Sequence, residues 1–91
     1  MQLLVRNKVR DFAKWYGYFE GDRAAAASYG VTVAQVWQTK DDPDNVFFLL
    51  DIEDIERANA FMARPESMEL GIKSGVIDGE VYFLEAVRAD G

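Results

Sequence analysis

Val46-Phe47-Phe48-Leu49-Leu50-Asp51-Ile52 is the segment that most constrains how this chain folds, because it is a predicted β-strand with apolar residues on both faces. A strand with one exposed face normally alternates apolar and polar residues. Here large apolar side chains fill both sets: Val46, Phe48, Leu50 and Ile52 on one face, and Phe47 and Leu49 on the other. A chain of 91 residues has few helices with which to cover both faces of a sheet. We therefore expect another molecule to cover the second face.

Composition limits the partners that the chain can have. The 91 residues carry a net charge of −6, from 16 acidic and 10 basic side chains. An acidic surface repels a phosphate backbone, so we expect no nucleic acid partner. No apolar run approaches the ~20 residues of a membrane span, and Arg6 follows too soon after Met1 for a signal-peptide core. These observations predict a cytoplasmic protein with no membrane partner.

The chain contains neither histidine nor cysteine, and this removes several kinds of chemistry. Without cysteine there is no disulfide framework and no thiolate nucleophile. Without histidine, the commonest general base and the commonest transition-metal ligand are missing. Asp41, Asp42 and Asp44 lack the spacing, the glycine and the distal glutamate of an EF-hand loop, and are typical of a solvated turn. We predict no metal and no cofactor.

The rest of the chain alternates between predicted strands and helices. Asp11 and Asp54 can each cap the helix that follows, and Gly30 can end the first helix. Simple alternation along the second strand puts Val33 and Trp37 on the same face. The predicted segments are a strand at 3–9, a helix from Asp11 with a stripe of Phe12, Trp15, Tyr16, Phe19, Arg23 and Ala26, strands at 31–39 and 46–52 around a turn at 41–45, a helix from Asp54 to Pro65, a short helix to about Ser74, a turn at 78–79 and a strand at 80–88.

The resulting order, βαββαβ, predicts an α+β fold within a single domain, residues 1–91. Right-handed crossovers arrange this order as a four-stranded antiparallel sheet with both helical regions on one face, the ferredoxin-like arrangement. The other face is then bare and apolar. Each large apolar side chain left in water forgoes roughly 1.5–3 kcal/mol, and monomers seldom expose such patches. We predict a homodimer that forms through the sheet face.

Motifs along almost the whole chain resemble the dimeric α/β-barrel superfamily, and within it an uncharacterised branch related to antibiotic-biosynthesis-type monooxygenases. The motifs are Val5-Arg6-Asn7-Lys8-Val9, Asp11-Phe12-Ala13-Lys14-Trp15, Asp41-Asp42-Pro43-Asp44-Asn45-Val46, Ala58-Asn59-Ala60-Phe61, Arg64-Pro65-Glu66 and Glu80-Val81-Tyr82-Phe83-Leu84-Glu85. The resemblance implies a dimeric α/β barrel with a ligand cleft between the helices and the sheet of each subunit.

Asn7 is the residue that matches a functional position of that superfamily. Relatives of the same branch often have histidine there, whereas cofactor-free and haem-degrading members resemble this chain in having asparagine. Those members also use a tryptophan or histidine from the second helical region, and Asp54 to Ser74 contains neither. The alternative interpretation of Asn7 is a polar residue that meets a local hydrogen-bonding need.

Three further residues are candidates for the walls of the cleft. Tyr16 belongs to an aromatic stripe that either lines a pocket or packs as plain core. Arg23 can hold an anionic group, or form a salt bridge to a neighbouring carboxylate. Trp37 suits either a pocket or an interface. The predicted ligand-binding residues are therefore Asn7, Tyr16, Arg23 and Trp37.

Two classes of function remain open. The first is a small dimeric protein that binds an apolar or aromatic molecule in a cleft between helices and sheet. The second is a cofactor-independent monooxygenase or cyclase acting on an aromatic or polyketide-like substrate. The sequence identifies no catalytic residue, because scattered carboxylates show no paired acid and base. The absence of histidine and cysteine favours the binding function.

Overall fold

Eight helices and strands follow one another along residues 1–88, the part of the chain that this computed structural model describes. In chain order they are β1 (Gln2–Val9), α1 (Phe12–Gly21), α2 (Arg23–Ser28), β2 (Val31–Thr39), β3 (Asp42–Ile52), α3 (Ile55–Met62), α4 (Pro65–Lys73) and β4 (Val76–Leu84). The four strands form one antiparallel sheet in the order β2-β3-β1-β4. With the helices on one face, this is the predicted ferredoxin-like α+β fold.

The sequence signals at the helix ends are confirmed. Asp11 and Asp54 cap α1 and α3, since each side chain accepts a hydrogen bond from the N–H two residues later. Gly30 and Gly75 have φ values of 73° and 85°, a left-handed conformation in which a side chain would be strained. Pro65 lies in the first turn of α4, where its missing N–H removes no helical hydrogen bond.

The two apolar faces of β3 point in opposite directions, as predicted. The face that packs under the helices is buried, and it consists of Val46, Phe48, Leu50 and Ile52. The helix-facing core centres on α1, where Trp15 and Phe19 stack with ring centroids 4.8 Å apart. Both rings also pack against Phe48 in a tilted arrangement, at centroid distances of 5.6 Å for Trp15 and 4.9 Å for Phe19.

A bulge in β2 reverses the predicted alternation. Val33 pairs with Leu50 and Gln35 pairs with the next residue, Leu49, so one residue of β2 has no partner. An extra residue in one strand turns every later side chain to the other face. Trp37 therefore pairs with Phe47 and leaves the helix-facing side, so the predicted shared face of Val33 and Trp37 was wrong.

The prediction for the last strand was also wrong. Asp78 and Gly79 lie inside β4, opposite Lys8 and Asn7 of β1, and the strand ends at Leu84. A Cβ at Gly79 would lie 2.7 Å from Asn7 Oδ1 and 2.9 Å from the carbonyl oxygen of Arg6. Glycine at this position therefore permits a close approach of β1, and the Asp-Gly pair that looked like a turn is extended strand.

Two other boundaries differ from prediction. The first helical segment is divided at Asp22 into α1 and α2, and Asp22 accepts a hydrogen bond from Arg64 at 3.1 Å. The turn between β2 and β3 is shorter than the predicted 41–45, because β2 ends at Thr39 and β3 begins at Asp42. Only Lys40 and Asp41 connect the two strands, which is a short hairpin loop.

The sheet face opposite the helices is called the open face here. Strand pairing brings apolar side chains from all four strands together on it: Leu4, Trp37, Phe47, Leu49, Tyr82 and Leu84. Trp37 and Tyr82 are nearly half exposed. The expectation that residues of β3 leave a second apolar face uncovered within one chain is confirmed.

Candidate functional site

A cleft of about 470 Å³ lies between the helices and the sheet. Its floor is formed by apolar side chains of β1 and β3, and its walls by aromatic side chains of α1 and residues of α3 and α4. The main apolar contributors are Leu3, Val5, Trp15, Phe19, Phe48 and Leu50. Trp15 and Phe19 of the aromatic stripe thus line a cavity instead of filling it.

Asn7 interrupts the apolar floor of the cleft. It lies on the helix-facing side of β1, in register with Val46 on one side and Gly79 on the other. The residue is half-buried, and its side-chain amide makes no hydrogen bond within residues 1–88. Asn7 therefore does not meet a local hydrogen-bonding need of the described chain, and its amide keeps unused hydrogen-bonding capacity within residues 1–88.

Trp15 also lines the cleft. The residue is only 3 % exposed, and its indole N–H has no partner in the described part of the chain. Every fully buried side-chain nitrogen or oxygen in that part does have a partner, so the indole nitrogen must touch accessible space. The sequence marked Trp15 only as an apolar residue, because spacing does not show which way an indole ring turns.

Arg23 also lines the cleft, and it forms the salt bridge that was the alternative to ligand binding. Its Nη1 lies 3.0 Å from Glu20 Oε2, with both side chains more than one-third exposed. The guanidinium and, secondly, the Tyr16 hydroxyl hold the pKa of Glu20 below its usual range. The same contact with Glu20 raises the pKa of Tyr16. These three residues form a polar row along α1 and α2.

A more buried ion pair lies next to this row. Arg64 contacts Asp22 at 3.1 Å, and its side chain is mostly buried. The guanidinium also packs over the ring of Phe61, at 4.2 Å from the ring centroid, and donates to the carbonyl oxygen of Phe61. Ser67 closes the network by donating to the same carbonyl oxygen. This network joins the α1–α2 junction to α4 and so fixes one end of the cleft.

The structure brings two of the four predicted binding residues into the cleft. Asn7 and Arg23 line it, whereas Tyr16 and Trp37 do not. Tyr16 is on the outer side of α1, 37 % exposed, and stacks on Phe12. Trp37 lies on the open face because of the bulge in β2. Ligand binding by Asn7 and Arg23 stays a prediction.

Two further features are absent from residues 1–88. No group of three or more aspartate or glutamate side chains is arranged there to hold a metal ion. None of the helices in this range combines the length and hydropathy needed to cross a membrane.

Solved structures with the same fold include several oxygenase-type proteins. A Bordetella bronchiseptica protein classed as an antibiotic biosynthesis monooxygenase is 15% identical, with 96% of both chains covered and a TM-score of 0.79. A variant of SnoaB, a cofactor-independent oxygenase from Streptomyces nogalater, is 14% identical over 97% of this chain and 93% of its own, with a TM-score of 0.77. A protein of the same class from Nitrosomonas europaea is 10% identical over 99% and 92%, with a TM-score of 0.75.

These similarities define the fold of the chain. It has the ferredoxin-like fold of antibiotic biosynthesis monooxygenase-type proteins, as the sequence resemblance implied. No sequence-family model matches the chain. No curated protein matches it either.

Proposed function

We propose that this protein binds a small apolar or aromatic molecule in the cleft, with the Asn7 side chain as the polar anchor. The observation that carries the proposal is the half-buried Asn7 amide, which makes no hydrogen bond within residues 1–88 and faces an apolar cavity. Partial exposure lets water reach this amide, whereas an apolar ligand that covered it without a hydrogen bond would cost about 1–3 kcal/mol. A ligand hydroxyl or carbonyl would avoid that cost.

The size and lining of the cleft support a small-molecule ligand. Binding sites for small molecules are typically ~300–1,000 Å³, mostly apolar, and contain a few polar groups that fix orientation. This cleft has about 470 Å³, an aromatic wall of Trp15 and Phe19, and the polar side chains of Asn7 and Arg23. Aromatic rings pack favourably against other rings, which favours an aromatic ligand.

Calorimetric titration with 4-hydroxybiphenyl tests this proposal. The hydroxyl group can bond to Asn7 while the rings occupy the apolar part of the cleft. Replacing Asn7 by alanine should remove one hydrogen bond and weaken binding about two- to tenfold. Asn59→Ala is the matched control, because Asn59 is exposed on α3 and outside the cleft. Absence of saturable binding, or equal affinities of both variants, would contradict the proposal.

We also propose that two copies of the chain associate through the open face as a homodimer. Six large side chains of this face are apolar or aromatic, and they lie on four neighbouring strands. Burying such a patch gains roughly 25 cal/mol per Å² of apolar surface. Because the open face is opposite the cleft, association through it leaves the cleft accessible.

A second candidate function is cofactor-independent oxygenation of an aromatic substrate. It is supported by the Asn7 amide of the cleft floor, since a donor fixed in an apolar site stabilises a developing negative oxygen. The fold likeness to SnoaB agrees with it. Oxygen-electrode measurements with dihydroxynaphthalenes test it. Uptake above the buffer rate that Asn7→Ala removes would support catalysis, and uptake equal to the buffer rate would reject it for these substrates.

A further inference from the structure

The cleft has polar groups with spare hydrogen-bonding capacity at two places. The first is Asn7, which makes no side-chain hydrogen bond within residues 1–88. The second is Arg23, whose Nη1 donates to Glu20 at 3.0 Å while its Nε and Nη2 groups donate to nothing in that range. Both residues line the cleft. A ligand that fills the cleft therefore contacts two residues that have spare hydrogen-bond donors.

The path of the chain shows that these two residues lie at opposite ends of the cleft. Asn7 pairs with Val46 near the beginning of β3, and α1 starts beside this point, since the N–H of Phe12 donates to Asp44 at 3.0 Å. The ten residues of α1 then carry the chain about 15 Å away, at 1.5 Å per residue. Arg23 follows at the far end of that helix.

Helix α4 gives an independent measure of the same separation. At its beginning, Arg64 bonds to Asp22, the neighbour of Arg23. At its end, Gly75 accepts a hydrogen bond from the N–H of Arg10, close to the end of β1 that carries Asn7. Its nine residues span about 14 Å. Two helices thus place the two polar groups roughly 10–15 Å apart, at opposite ends of one apolar cavity.

The side chains between the two ends are apolar, and the charges near Arg23 balance. Leu3, Val5, Phe19 and Phe48 lie along the middle of the cleft. Near Arg23, the positive charges of Arg23 and Arg64 match the negative charges of Glu20 and Asp22. Recognition at this end therefore depends on directed N–H groups, which bond most strongly to a carboxylate or another oxygen acceptor.

We infer that the ligand is an elongated molecule with a polar group at each end and an apolar middle. A hydroxyl or carbonyl binds Asn7, and an oxygen acceptor such as a carboxylate binds Arg23. Glu20 gives up part of its contact with Arg23 on binding, since Glu20 is partly exposed and can turn to water. This inference rests on the proposed binding function and adds length and a second polar group to the description of the ligand.

Three rigid probes test the inference by calorimetry: 4-hydroxybiphenyl with one polar end, 4′-hydroxybiphenyl-4-carboxylate with two distant polar ends, and 4-hydroxybenzoate with two close ones. The long two-ended probe should bind at least about tenfold more tightly than either of the others, because it gains a hydrogen bond to a charged group. Arg23→Gln should remove this advantage, so that the two biphenyls bind this variant with equal affinity.

Arg57→Gln is the matched control for this experiment. Arg57 forms a similar salt bridge to a residue close in sequence, Glu53, with a side-chain exposure of 47% against 48% for Arg23, and it is outside the cleft. An equal affinity for the two biphenyls, or equal effects of the two arginine variants, would overturn the inference while binding of 4-hydroxybiphenyl still supports the proposed function. If neither biphenyl binds, the proposed function fails, and the inference fails with it.

Discussion

Replacing Asn7 by valine should stabilise the fold and weaken ligand binding. The Asn7 amide is half-buried and makes no hydrogen bond within residues 1–88. An unpaired polar group in apolar surroundings costs about 1–3 kcal/mol, and partial exposure reduces this to about 1 kcal/mol. Valine is favoured in strands and is shorter than asparagine, with no atom in the place of the Oδ1 that lies beside Gly79. The melting temperature should rise by roughly 4–8 °C for a domain of this size.

Asn45→Val is the matched control for this prediction. Asn45 is also a half-buried strand asparagine, but it accepts a hydrogen bond from Arg6 at 2.8 Å and donates one to Thr39 at 3.2 Å. Loss of these bonds should destabilise the fold by about 1–3 kcal/mol. Urea unfolding at a fixed protein concentration measures both variants. If Asn7→Val destabilises the fold as much as Asn45→Val, then Asn7 has a structural role and the reasoning about the cleft is refuted.

Three other outcomes are expected. Phe47→Glu puts a charge into the open face and should give monomers by light scattering at micromolar concentration, whereas Ala60→Glu on the exposed side of α3 should not; a wild-type monomer would contradict this. Arg64→Ala should lower the free energy of unfolding in urea by about 2 kcal/mol, because it leaves Asp22 without its partner. An unchanged free energy of unfolding would show that the Arg64 network contributes little to stability. The Tyr82 hydroxyl and the Arg6 guanidinium hold the pKa of Glu80 below its ordinary value of 4.5. The ionised Glu80 carboxylate therefore stabilises the fold above pH 4.5, and this stabilisation is lost as the pH falls through the lowered pKa. Glu80→Gln should therefore lose less stability than the wild type between pH 7 and pH 3.5, and equal losses would argue against this.

The sequence was sufficient for the fold because its signals are local. The caps at Asp11 and Asp54, the left-handed Gly30 and the two apolar faces of β3 each depend on short stretches of chain. Their order then leaves few possible topologies.

The errors arose where a distant contact changed a local pattern. The bulge in β2, visible only in its pairing with β3, turned Trp37 to the open face. Gly79 looked like part of a turn because its actual neighbour, Asn7, is far away in the sequence. The same limit applies to the predicted site. The alternation of apolar residues along β1 was enough to predict that Asn7 lies on the floor of the cleft. The directions of the Tyr16 side chain and of the Trp15 indole could not be predicted, because they depend on tertiary packing.

The most direct test of the central claim is a two-dimensional ¹⁵N–¹H spectrum recorded during titration with 4-hydroxybiphenyl. The chain has two tryptophans, Trp15 in the cleft and Trp37 on the open face, so each indole N–H reports on one side of the sheet. Binding in the cleft predicts that the signals of the Trp15 indole and the Asn7 side-chain amide shift and saturate together, while the Trp37 indole signal stays in place. A saturating shift of Trp37, with Trp15 and Asn7 unchanged, would contradict it.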